Sequence, residues 1–192
     1  LPWLMGLVGA KSVGGPTDLN NVVDEALRVT HPYFERRAEA KRRIEIKTQL
    51  GVIPAAPVDE GDARDALVNL LLNSVEAMPD GGVITITTRS EGVGVSLEVR
   101  DTGAGMTAEV RDRCRDPFFT TKKGAGFGMG LTFVDGLMRR SRGTLTIDTL
   151  PRQGTRVRLR FPAWTARAVA VEGGVEAPAG EGISVLVVDD DE

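Results

Sequence analysis

The sequence predicts an α+β fold, a two-layer α/β sandwich with a mixed, mostly antiparallel sheet covered on one face by helices. Three observations predict it. Residues 60–78 carry Leu67, Leu70, Leu71, Val75 and Met78 on one helical face. Two pairs of alternating runs, 83–89 with 93–100 and 144–150 with 156–161, read as antiparallel hairpins. Between the pairs, a glycine-rich stretch leads into a second helical pattern at about 129–140. Composition sets the outer limits. With 192 residues, 41% hydrophobic and 27% charged, the chain supports one core plus an appendage, which excludes a disordered chain and a membrane bundle. A net charge of −3 argues against a dedicated nucleic-acid binder. One cysteine, Cys114, excludes an internal disulfide and a multi-cysteine zinc site, and one histidine, His31, leaves little for a histidine-rich metal centre.

The elements follow in order. Residues 1–10 are apolar but too short to span a bilayer, lack a basic flank, and contain Pro2, Gly6 and Gly9. Gly14-Gly15-Pro16 reads as a break between elements. Thr17-Asp18 is an N-cap signal for a helix through Leu19, Val22, Val23, Ala26 and Leu27 towards Ala40, with an interruption expected at Pro32. Ile44, Ile46 and Thr48 alternate as in a half-buried strand, and 52–58, with two prolines, is irregular or an edge strand. In the helix at 60–78, Asp62, Asn69, Asn73 and Glu76 form a polar stripe opposite the apolar face. The first hairpin turns at 90–92, and a short helix follows from Thr107 to about Cys114. In the last strand Val157, Leu159 and Phe161 alternate with Arg156, Arg158 and Arg160, which are read as a solvated face. The basic residues 36–43 are read the same way.

Chemistry concentrates in three places. Gly103 and Gly105 follow a strand in Asp101-Thr-Gly-Ala-Gly-Met106, and Gly124, Gly126, Gly128 and Gly130 precede a helix. Glycines at alternate positions let the backbone approach a bound group, and amides at a helix start favour phosphate. Neither a P-loop nor a dinucleotide fingerprint is present, so a phosphate cradle and a floppy loop both remain open on the glycines alone. Asn69 and Asn73 lie four residues apart on one stripe. An amide oxygen there is a suitable hard ligand for Mg²⁺, and a solvated surface is the plainer alternative. Asp101 has the chemistry to accept from an amino group such as adenine's, or simply to form a turn after its strand.

Together these segments resemble a known family. Asn69-Leu-Leu-Leu-Asn73-Ser-Val-Glu-Ala-Met78 is similar to the N box of the histidine-kinase catalytic and ATP-binding domain, of the GHKL superfamily. Asp101 to Met106 resembles its first glycine box, Asp116-Pro-Phe-Phe-Thr-Thr-Lys122 its F box, and Gly126-Phe-Gly-Met-Gly-Leu131 its second glycine box. Gly154-Thr155 also matches. The resemblance covers about 18–162, and its style is closest to nitrogen-regulation-type sensor kinases. It implies a Bergerat-type sandwich holding ATP between the N-box helix and a lid. Asn73 would ligate Mg²⁺ and Asn69 would contact phosphate. Asp101 would recognise the adenine amino group, with Gly103, Gly105, Met106 and Thr155 around the ring. Lys122 and the backbone of Gly126, Phe127, Gly128, Met129, Gly130 and Leu131 would hold the phosphates. Phe118 and Phe119 would fix the lid and anchor it in apolar core. In ATP-hydrolysing relatives a Glu stands where this chain has Asn69, so the resemblance favours phosphoryl transfer over hydrolysis.

The domain organisation expected is an N-terminal stub or linker at 1–16, or the end of a dimerisation and phosphoacceptor domain. An ATP-binding catalytic domain at 17–162 and a flexible linker at 163–182 follow. Val185-Leu-Val-Val-Asp-Asp-Asp191 resembles the first strand of a receiver domain, so 183–192 is read as a truncated receiver in a hybrid kinase. His31 precedes Pro32 and lacks the family's acidic neighbour, so the phosphoacceptor histidine is expected on a separate domain of the same protein. The resemblance further implies a homodimeric parent, a receiver or response-regulator partner, and a cytoplasmic fragment without nucleic-acid or membrane contact. A nucleotide-binding interaction module and an anti-sigma-type serine kinase are the alternatives.

Overall fold

The computed structural model describes residues 14–39, 43–121 and 128–164. Within them a five-stranded sheet carries its three longer helices on one face. The sheet consists of β2 (Ile44–Leu50), β4 (Gly82–Glu91), β5 (Gly94–Asp101), β6 (Thr144–Thr149) and β7 (Thr155–Pro162), in the order β2-β4-β5-β7-β6. The helices are α1 (Leu19–Glu39), α2 (Glu60–Glu76), α3 (Ala108–Arg113) and α4 (Gly130–Arg140), and a small ladder joins β1 (Pro16–Thr17) to β3 (Ala56–Pro57). The β2–β4 pair is parallel because α2 lies in the connection between them; the hairpin-joined pairs are antiparallel. The α+β class and the mixed, mostly antiparallel sheet expected from the sequence are therefore found.

The core lies between the sheet and its helices. Leu19, Val22, Val23 and Ala26 of α1 are completely buried, as are Leu67, Leu71 and Val75 of α2. They meet Ile84, Ile86, Leu97, Val99 and Leu159 on the inward face of the sheet. Because strand side chains alternate, the other face receives Thr85, Arg89, Glu98, Arg100, Arg156 and Arg158. Truncating a completely buried leucine such as Leu71 to Ala is expected to cost about 2–5 kcal/mol.

Three details differ from the sequence reading. Gly14-Gly15-Pro16 is more than a break, because Pro16 and Thr17 pair with Pro57 and Ala56, and the Thr17 hydroxyl donates to Val58 O at 2.6 Å. Proline suits such a ladder only at its margin, where no donor is required of it. Pro32 does not end α1, which continues to Glu39. Its ring removes the amide that would bond the carbonyl four residues back, yet Phe34 beyond it still packs on the core. Finally, the first hairpin turns at Gly92-Val93, since Ser90 and Glu91 already pair with Val95 and Gly94. Gly92 takes φ +60°, which sets the turn there. Among the described residues no helix is long and apolar enough to cross a membrane.

Candidate functional site

Three structural seams converge beside α2. The helix starts cleanly, with Asp59 capping the Asp62 amide at 2.9 Å, and its apolar face fixes the rotation. Asn69 and Asn73 are thereby held on the partly exposed stripe, away from the core. Asn69 donates Nδ2 to Asp65 O at 2.8 Å, which turns its Oδ1 outward. The start of α4 sits against both amides: a Cβ placed on Gly130 would lie 3.1 Å from Asn69 Oδ1 and 3.6 Å from Asn73 Nδ2. Met129, the α4 N-cap, makes no side-chain capping hydrogen bond. The first amides of α4 thus lack a side-chain partner at its N-cap, beside two asparagine amides, in an arrangement suited to an anion.

The second seam is Asp101 at the end of β5. It is only 5% exposed. Its Oδ1 accepts from Gly103 N at 2.9 Å and from Thr155 N at 3.1 Å, while Oδ2 accepts from Ser74 Oγ at 3.3 Å. Burial raises its pKa above the usual carboxylate value, and the bonds from Gly103, Thr155 and Ser74 oppose that rise. With two donors on one oxygen and one on the other, Oδ2 retains acceptor capacity for a further N–H. The carboxylate is fixed in direction by the backbone of two loops and by α2 itself.

The third seam is the loop pair around that carboxylate. Ala104 N donates to Ala77 O at 2.9 Å, sewing the loop after β5 to the end of α2, and Arg152 N donates to Ala104 O at 2.6 Å. Gly105 and Gly154 take φ +63° and +77°; a Cβ on either would collide with a backbone carbonyl, that of Leu150 or of Asp101. Only glycine meets both demands. Met106 N donates to Thr149 Oγ1 at 2.9 Å, and Thr149 Oγ1 in turn donates to Gly154 O at 3.0 Å and lies 3.2 Å from Thr155 Oγ1.

The predicted residues therefore fall into groups. Asn69, Asn73 and Gly130 are brought together, as are Asp101, Gly103, Gly105, Met106 and Thr155. Leu131 packs partly against the core, beneath the start of α4. Gly128 lies against the Phe118–Phe119 backbone. The expectation that both phenylalanines anchor in apolar core is corrected for Phe118, which is 74% exposed at φ +65°. Its backbone conformation carries the side chain out of the core, whereas Phe119 is half-buried with the Arg113 guanidinium 4.4 Å from its ring centre. Lys122, Gly126 and Phe127, the linker from 165 and the receiver-like strand lie outside the described residues, as do 1–13 of the N-terminal stub.

Two site residues escaped the sequence reading. Ser74 is 5% exposed on the apolar side of α2, four residues after Leu70, and a hydroxyl in that position was the available signal. Thr149 gave none, being an ordinary strand residue. Cys114 is buried, donates its thiol to Arg111 O at 3.0 Å, and is pushed above its usual pKa by desolvation, so it stays protonated. Among the described residues no cluster of His, Cys, Asp and Glu is arranged to hold a metal ion. His31 is exposed on α1, 3.7 Å from Glu35.

Comparison with known proteins gives a consistent result. A family model described as histidine kinase-, DNA gyrase B-, and HSP90-like ATPase matches residues 58–165. Sporulation kinase A of Bacillus subtilis (strain 168) is 35% identical over 105 residues, 54% of this chain and 17% of the relative. Sensor histidine kinase ZraS of Escherichia coli O157:H7 is 31% identical over 145 residues, 76% of this chain and 31% of the relative. The chain thus spans less than a third of either curated relative. Among solved structures, full-length ShkA in complex with AMPPNP superposes with a TM-score of 0.71 at 25% identity, over 83% of this chain and 33% of that one. The mycobacterial sensor histidine kinase MprB gives 0.64 at 25% identity, over 79% and 98%.

Proposed function

This chain belongs to the histidine kinase-, DNA gyrase B-, and HSP90-like ATPase family, and from that membership we propose that it binds Mg-ATP and delivers the γ-phosphoryl to a histidine on a separate domain. The observation that carries the reading is convergence on α2: Ser74 of that helix holds the buried Asp101 carboxylate, and Asn69 and Asn73 of the same helix lie against the start of α4.

The chemistry follows from what each set of groups offers. Asp101 Oδ2 accepts the exocyclic amino group of adenine, while the glycine-lined loops around Gly105 and Thr155 leave space for the ring. Asn69 and the first amides of α4 bind phosphate oxygens. Lys122 and the backbone from Gly126 to Gly130 complete that binding. Phe118 and Phe119, part of this proposed nucleotide site, hold the lid at its base. An Mg²⁺ ion fits this donor set, because a hard amide oxygen from Asn73 can supply one ligand and phosphate and water the remainder. When bound, it neutralises charge on the transferring phosphoryl group. Asn69 has no proton-accepting carboxylate, and its Nδ2 is committed to Asp65 O, so it does not activate water for hydrolysis. Positioning, with amide and cation stabilisation of charge, is what phosphoryl transfer chiefly requires.

The finer readings rest on sequence motifs alone: a nitrogen-regulation-type parent, a catalytic domain at 17–162, a linker at 163–182 and a receiver domain beginning at 183. Sensor-kinase relatives support a phosphoacceptor and dimerisation domain as the partner in general. The test mixes this chain with labelled Mg-ATP and the parent's helical hairpin, then identifies the phosphorylated residue. An acid-labile, base-stable phosphate on histidine is expected. Acid-stable phosphoserine would point to the anti-sigma-type alternative, and no transfer at all to an interaction module.

A further inference from the structure

The sheet face opposite the helices holds a second chemically distinct feature. A depression of about 370 Å³ lies there, lined by Arg89, Arg100, Arg156 and Arg158 with Glu98 and the hydroxyls of Thr85 and Thr87. Four guanidinium groups thus face one carboxylate. The ladder register makes the imbalance sharper, because Arg100 and Arg156 are directly opposite one another on β5 and β7. Like charges in that relation destabilise a sheet unless something lies between them.

Glu98 is already committed. Arg158 donates to its Oε2 from Nε at 3.1 Å and from Nη2 at 2.9 Å. Arg156 Nε stands 3.5 Å from Oε1, without hydrogen-bond geometry, and is a buried nitrogen with no hydrogen-bond partner among the described residues. Arg89 and Arg100 have no ion-pair partner there either. Other charged groups on this face sit at its margins. Lys47 pairs with Glu45 at 3.5 Å and Arg160 with Glu91 at 3.5 Å, while Asp148 on β6 lies directly opposite Arg156, on the side away from Arg100. Two unpartnered guanidiniums beside the partly exposed Arg156 side chain leave an excess of positive charge that an anion would offset.

We propose that this depression binds a phosphate-bearing small molecule, gripped by Arg89, Arg100 and Arg156 on the side of the sheet remote from the nucleotide cleft. Arginine suits the task because its planar fork meets phosphate oxygens two at a time. The Thr85 hydroxyl on the floor of the depression supplies a neutral donor, while that of Thr87 is turned to Gln49 Oε1 at 3.5 Å. Nothing in this arrangement overlaps Asn69, Asn73 or Asp101, which belong to α2 and the inward face.

The probe is pyrophosphate, titrated calorimetrically into the full chain saturated with AMPPNP in 0.15 M salt. Saturable binding of one pyrophosphate per chain is expected. It should weaken at least tenfold in Arg89→Gln and in Arg100→Gln, whose side chains hold no partner that folding needs, and unfolding temperatures should stay unchanged. Asp101→Asn, which alters the other site, should leave it intact. Pyrophosphate binding that AMPPNP abolishes would overturn the proposal, as would binding indifferent to both arginine substitutions. Binding of poly-glutamate but not pyrophosphate, lost in the same variants, would also overturn it and make the face a surface for acidic polypeptides.

Discussion

The two ends of the proposed nucleotide site are built on different principles. At the Asp101 end, the group proposed to recognise the base is a buried carboxylate whose direction is set by two backbone amides and one serine, on loops closed by glycines at positive φ. At the Asn69–Asn73 end, the groups are side-chain amides on a partly exposed helical stripe, facing a helix N-terminus with no capping side chain. The first end is over-determined and rigid, as a base-recognition pocket must be if it is to discriminate. The second is open and polar, which suits a charged group that arrives with a metal ion and leaves with one phosphate fewer. Changes at the first end should therefore damage stability as well as binding, and changes at the second should damage binding alone.

The severest test of that contrast is Gly154→Ala. A Cβ there collides with the Asp101 carbonyl at a backbone conformation that L-residues reach only at cost, so urea unfolding should show a loss of about 2–5 kcal/mol. A wild-type urea midpoint would remove the claim of rigidity. Next comes Asp101→Asn, which exchanges a charged acceptor for an amide. ATP affinity should drop by about 10- to 100-fold, corresponding to about 1.5–3 kcal/mol for a hydrogen bond to a charged group.

Asn73→Ala should reduce Mg-ATP affinity by about tenfold while leaving the unfolding free energy from urea titration within about 0.5 kcal/mol, as befits a partly exposed side chain. A large loss of stability in this variant would erase the distinction between the two ends. The smallest effect is expected from Ser74→Ala, a loss of about 1 kcal/mol in binding together with a displaced pH profile. Asp101 has a pKa raised by burial, and its carboxylate is a stronger acceptor for the adenine amino group than its neutral acid, so ATP affinity should fall as pH drops through that raised value. Ser74 donates to the carboxylate and lowers the pKa; removing it moves the acidic fall to higher pH. The ligand's own titration is common to both proteins, so the difference between the two profiles reports Asp101.

How much of this was legible beforehand follows the same division. The helical stripe with Asn69 and Asn73 was readable because a 3.6-residue period fixes which side chains share a face. The hairpins and the mixed sheet were readable from alternation, since a one-residue slip would turn Leu97 and Val99 outward. The ties of Asp101 to Ser74 and Thr155 were not readable, because they join positions 27 and 54 residues apart through loops whose geometry no local pattern states. Pro32 misled for a related reason. Its local preference against helix was outweighed by apolar contacts made on both sides of it. Phe118 misled in the opposite sense, as hydrophobicity alone predicted a burial that its backbone prevents. The arginines of β7 looked like a solvated face from alternation, and only the register showed Arg156 opposite Arg100 across the ladder.

The most direct test of the account is a calorimetric comparison of Mg-ATP with Mg-GTP binding, for this chain and for Asp101→Asn. Guanine carries a carbonyl where adenine carries its amino group, and that carbonyl would confront the Asp101 carboxylate. ATP should bind the unaltered chain at least tenfold more tightly than GTP, and Asp101→Asn should lose most of that preference. Equal affinity for the two nucleotides, or ATP binding untouched by the substitution, would contradict the assignment of Asp101 and with it the orientation proposed for the whole cleft.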